Sequence, residues 1–134
     1  MPKQGNQFTV ELKATPIGWG TYRSTNSRPQ LEGECYIPIP SLAAHQYGIF
    51  NSIHTQGRDI LGQNIFNAIS TDGYFDGVVK ASGNSQGGDP YAKNLSGQGN
   101  LRAFNDWFNQ MNVTVGTKIK VEWISPTDIL FTII

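Results

Sequence analysis

The sequence predicts a mainly β protein: a small, closed or nearly closed barrel of about seven short strands with two short α-helices. Three observations carry this. The 134 residues suit one domain, spanning 1–134, and leave little room for a second. Apolar segments of strand length recur along the chain, separated by Gly, Pro, Asn and Asp turn signals. Only two stretches have helical spacing, and with so many strands closure removes sticky sheet edges.

The elements follow in order. Gln7 to Lys13 alternates as a strand, with Phe8, Val10 and Leu12 on one face. Residues 15–30 form a long polar loop holding Trp19, Tyr22, Arg23 and Arg28 and no acid. Glu34 to Ile39 reads as a strand, which Pro38 and Pro40 place at a sheet edge or strand end. Ser41 is the expected N-cap of a short helix, Leu42 to Tyr47, and Gly48 its stop. Asn64 to Ser70 and Tyr74 to Ala81 make a hairpin through Thr71-Asp72-Gly73. A second polar loop, Ser82 to Pro90, precedes a short strand, Tyr91 to Leu95. Asn100 caps the second helix, whose apolar side is Leu101, Phe104, Phe108 and Met111. Two strands close the chain, Thr117 to Ile124 and Ile129 to Ile134, around the turn Ser125-Pro126-Thr127-Asp128. Trp107, Phe108 and Trp123 are expected in the core or as barrel plugs.

Composition narrows the function. Apolar residues make up 38% and charged residues 15%, so 11 Asn and 9 Gln supply much of the polarity. With aromatics at 11%, this is a folded, loop-rich chain rather than a disordered one. Ten basic and ten acidic residues exclude a polycation or an acidic tail, but not a local patch. One cysteine, Cys35, excludes an internal disulfide framework and a zinc site built on several thiolates. Residues 1–7 lack an apolar signal core, and no apolar run reaches the ~18–20 residues needed to span a bilayer. A cytoplasmic protein with no membrane partner is expected.

No catalytic constellation emerges. His45 and His54 lie outside metal-ligand spacing, and Cys35 has no histidine nearby in sequence. Glu11-Leu12-Lys13 supplies half of a Mg²⁺-nuclease pattern, but no acid precedes it. A carboxylate pair assembled from distant strands stays open as an enzyme alternative, although Asp72, Asp76, Asp89 and Asp106 read as turn, loop and helix-surface residues. No metal or other cofactor is expected.

The two polar loops carry more. Residues 15–31 and 77–105 hold Arg23, Arg28, Lys80, Lys93 and Arg102 against Asp89 alone, while the remainder is net acidic. They are also rich in the Arg, Asn, Gln, Ser and Thr side chains that read base edges, a composition shared by any solvated loop. A carbohydrate- or small-ligand-binding β-barrel, with Trp19, Tyr22 and Tyr74 as a stacking platform, is the alternative.

Gly18-Trp19-Gly20, Arg23, Arg28-Pro29 and Gly33-Glu34-Cys35-Tyr36-Ile37-Pro38-Ile39-Pro40 resemble a segment of the DNA-recognition domains of prokaryotic type II restriction endonucleases. The match covers residues 18–40. Those effector domains share a pseudobarrel with the B-three DNA-binding domain of plant transcription factors. The resemblance implies a seven- to eight-stranded pseudobarrel, an open β-barrel, with two short α-helices. It further implies sequence-specific recognition of double-stranded DNA by an N-arm and a C-arm that grip the major groove, within or related to a restriction-modification system. Carried over, the N-arm holds Trp19, Tyr22, Arg23, Asn26, Arg28 and Gln30. The C-arm falls on Ser82 to Lys93, with Asn84, Gln86, Asp89, Tyr91 and Lys93, and Lys80 at its base. Trp19 is equally a candidate barrel plug. Both arms are expected on one side of the barrel, flanking a cationic face. Family members are usually fused to a nuclease domain, and no nuclease motif is present here. The chain would then be a free-standing reader or the partner of a separate nuclease domain or subunit.

Overall fold

The computed structural model describes residues 1–13, 35–83, 87–99 and 103–134. Seven strands form one sheet: β1 (Gln7–Glu11), β2 (Ile37–Pro38), β3 (Ile65–Ser70), β4 (Asp76–Ser82), β5 (Asn94–Gly97), β6 (Lys118–Ser125) and β7 (Asp128–Ile133). Helix α1 (Ser41–Tyr47) follows β2, and α2 (Ala103–Gln110) follows β5. The sheet order is β1-β6-β7-β3-β4-β5-β2, curled into a nearly closed barrel. The mainly β, seven-stranded barrel with two short helices is therefore what the sequence predicted.

Alternation fills the interior. Phe8, Phe66, Ala68, Val79, Ala81, Leu95, Ile119, Val121, Trp123, Ile129 and Phe131 are all buried in one core cluster. Most of their neighbours along the strands are exposed or half-buried, as the period of two requires, while Ile65 beside Phe66 is buried as well. Most neighbouring strands pair antiparallel, but β3 and β7 run parallel, with Asn67 opposite Asp128 and Ser70 opposite Phe131. Among the described residues no helix is long and apolar enough to cross a membrane.

Helix α2 plugs the barrel. Phe104, Trp107 and Phe108 are buried on one face, so Trp107 joins the stripe read from the sequence. Asn100 and Leu101 lie outside the described residues. The Trp107 ring stacks on Phe131 with centroids 5.5 Å apart, and its Nε1–H donates to Asp72 Oδ2 at 2.9 Å. That carboxylate also accepts from the Ser70 hydroxyl and, at 2.9 Å, from the Tyr74 amide. Asp72 thus ties the β3–β4 turn to the plug.

Partial burial pushes the Asp72 carboxyl up, but the Ser70 hydroxyl, the Trp107 indole and the Tyr74 amide together leave it below its ordinary value of 3.8. A depressed folded-state pKa adds stability that is complete above the unfolded value and disappears as pH falls through the folded one. Asp72→Asn should therefore remove part of the loss of stability seen below about pH 4. Urea midpoints measured across pH 2–6 check this; an unchanged acid limb would mean that the carboxylate is not held this way.

Several boundaries differ from expectation, each for a local reason. Pro40, at φ −58° and ψ 137°, takes the N-cap of α1 in place of Ser41, and no side chain caps that end. Gly48 ends the helix as expected, in the left-handed conformation at φ +67°. The strand read over 34–39 shrinks to Ile37–Pro38, since neither proline offers an N–H, and Glu34 lies outside the described residues. The strand read over 91–95 shifts to Asn94–Gly97, because Tyr91 bridges to Phe50 and the Ala92 N–H donates to Ile49 O. Ser125 pairs with Asp128, so the last turn tightens to Pro126-Thr127.

Candidate nucleic-acid interface

The described part of the C-arm leaves β4 at Gly83 and returns at Asp89. Gly83 has φ +99°, and a Cβ there would lie 3.0 Å from the Lys93 Cβ, so the exit of the strand admits little but glycine. Both shoulders of the loop hang on one side chain. Asn51, only 1% exposed, donates through Nδ2 to Gly83 O and to Asp89 O, each at 2.7 Å. Its Oδ1 accepts from the Ile53 amide at 2.9 Å, and its own N–H donates to Pro90 O at 2.8 Å. Both amide donors and the acceptor are used, so the loop mouth is fixed in width.

Four rings stand in a row that includes Tyr91, near the end of the C-arm. His45, on α1, stacks on Tyr91 with centroids 3.9 Å apart. Tyr91 lies 5.4 Å from Phe50, which stacks on His54 at 3.9 Å. His45 Nδ1 is 2.8 Å from Ser41 O. A carbonyl only accepts, so Nδ1 carries the proton there. The two histidines therefore pack against aromatics, although both residues remain solvent-exposed.

The cations divide. Lys93 is exposed and forms no ion pair among the described residues. Lys80, expected at the base of the C-arm, instead reaches Asp59 at 3.2 Å. The Gln98 amide, donating at 2.7 Å, and the Lys80 ammonium hold the Asp59 carboxyl below the ordinary range against slight desolvation. Lys80 thus brings less net charge than its place in the sequence suggested. Asp89 spends Oδ1 on the Tyr91 amide at 2.9 Å, an Asx turn ahead of Pro90. Tyr91 keeps its ring in the aromatic row.

Trp19, Tyr22, Arg23, Asn26, Arg28 and Gln30 of the N-arm, with Asn84 and Gln86 of the C-arm, lie outside the described residues. Asn51 was not legible as a site residue, since Asn51-Ser52-Ile53-His54 reads as an ordinary polar turn; only its burial sets it apart. Tyr74, from the alternative stacking platform, is 62% exposed at the β3–β4 turn. No protein-family model, no curated protein and no solved structure matches the chain.

Proposed function

We propose that the chain is a sequence-selective reader of double-stranded DNA, without a catalytic site of its own, using residues 15–31 and 82–93 as two arms. The observation that carries this is the Asn51 clamp. It braces the mouth of a polar loop that ends at Lys93, whose ammonium forms no ion pair among the described residues, and a braced loop loses little entropy on binding. A nearly closed seven-stranded barrel with two short helices is also the architecture that the resemblance of residues 18–40 implies. The interior filled by Phe66, Trp107, Trp123 and Phe131 favours a binder that works from its surface loops over a barrel that encloses a ligand. Cleavage would fall to a nuclease domain or subunit acting with this reader.

Selection from randomised duplex DNA, followed by anisotropy titrations against salt, tests the reading. Duplex affinity should fall steeply with salt, because bound phosphates release counterions. Lys93→Ala should weaken all sequences alike and flatten the salt slope by about one unit. Lys80→Ala should do less, its charge being shared with Asp59. Arg23→Ala and Arg28→Ala should cost the selected sequence about 1–3 kcal/mol more than random DNA, the value of a bidentate guanine contact. Arg58→Ala serves as control. Duplex binding that is absent or insensitive to salt would sink the proposal.

A further inference from the structure

On the outer face of the sheet, β3 is flanked by β4 and β7, and these three strands with the end of β6 enclose an open groove of about 440 Å³. Ile69, Val78 and Ile124 line it, and they are 44%, 40% and 42% exposed. Ile124 falls at the register shift between Trp123 and Ser125, a bulge in the β6 ladder. Three exposed aliphatics in one groove differ from the isolated apolar side chains usual on a surface.

The polar lining is one-signed. Asp76 and Asp128 contribute carboxylates, Asn67 and Ser125 are neutral, and no basic residue lines the groove. Among the described residues neither Asp forms an ion pair. The hydroxyls of Ser125 and Thr127, at 2.6 and 2.8 Å, keep the Asp128 carboxyl below the ordinary range. No backbone edge is free here, because β3 is paired on both sides, so an occupant must bind through side chains.

We infer that this groove docks an extended basic segment of another protein, one that alternates lysine or arginine with aliphatic residues. Its aliphatic side chains cover Ile69, Val78 and Ile124 while its cations meet Asp76 and Asp128. The groove is open to solvent, which suits side chains of a passing chain better than a small molecule needing enclosure. It is also remote from the C-arm. From Gly77 to Gly83 the chain runs six residues along β4, about 20 Å at ~3.3 Å each. The inference does not depend on DNA binding.

The probe is a fluorescein-labelled hexapeptide alternating lysine and valine, titrated by anisotropy into the full chain. Saturable binding is expected. A lysine–serine peptide and a glutamate–valine peptide should each bind at least about tenfold more weakly, since one lacks apolar contact and the other has the wrong charge. Asp76→Asn, whose carboxylate has no hydrogen-bond partner among the described residues, and Val78→Ser should each weaken the lysine–valine peptide several-fold with an unchanged melting temperature. Failure to bind, equal binding of the three peptides, or undiminished binding to both variants overturns the inference. So does n-pentylamine displacing the peptide at equal concentration, which would make this a small-amine site. A dimer of the protein that Val78→Ser dissociates would make the occupant a second copy, and overturns it likewise.

Discussion

Trp107→Ala should lower the free energy of unfolding by about 3–5 kcal/mol, the usual cost of deleting a large buried ring. The side chain is 1% exposed, and its ring has Phe75, Phe104, Phe108 and Phe131 within 6.0 Å between centroids. Its loss opens a cavity between α2 and the sheet and also strips Asp72 of a donor. Against a total stability of about 5–15 kcal/mol for a domain, this is close to unfolding. Trp107→Phe keeps most of the packing and loses the N–H, so it should cost about 1 kcal/mol for the hydrogen bond plus a smaller cavity. Urea titration followed by circular dichroism gives both numbers. A cost below about 1 kcal/mol for the alanine variant would mean that α2 does not plug the barrel.

Asn51→Leu should cost about 2–4 kcal/mol, although the two side chains are similar in size. The substitution leaves Gly83 O, Asp89 O and the Ile53 amide without their partner, and an unmet buried polar group costs about 1–3 kcal/mol. Part of that cost is local, because the loop mouth can open without unfolding the sheet. Limited proteolysis should therefore cut within 83–90 in the variant under conditions where the parent is intact. Duplex affinity should fall with it, since the arm must then be ordered on binding. A variant as protease-resistant as the parent would remove the clamp from the account.

Those two residues mark the limits of what the sequence discloses. The Asp72-Gly73 turn, the alternation of Ile119, Val121 and Trp123, and the 3.6-residue stripe through Phe104 and Phe108 are local signals, and each appears where expected. Parallel pairing of β3 with β7 has no local signature, because nothing near Asn67 announces Asp128. The same holds for Lys80 and Asp59, which are 21 residues apart and meet only once the sheet has curled. Charge counted in sequence windows therefore overstates the charge of the C-arm. Asn51 was hidden for the opposite reason: its polarity suggests exposure, and only tertiary structure buries it. The N-arm residues stand on resemblance and charge alone, and the Arg23 and Arg28 substitutions are what will assign them roles.

The order of strands also sets a sequence of events during folding. β1 has β6 as its neighbour and β3 has β7 on its outer side, so the β6–β7 hairpin sits between the first strand and the middle of the sheet. Until that hairpin exists, β3, β4, β5 and β2 can assemble as one half, while β1 has no partner and Phe8 and Leu12 stay in water. Joining the two halves is then a late step that pairs Asn67 with Asp128 and Gln7 with Glu122, and such non-local contacts slow a small domain to the millisecond-to-second range. On a ribosome at about 5–20 residues per second, the amino-terminal strand waits several seconds for its partner. In that interval its unpaired edges are open to capture by a chaperone or by a neighbouring nascent chain.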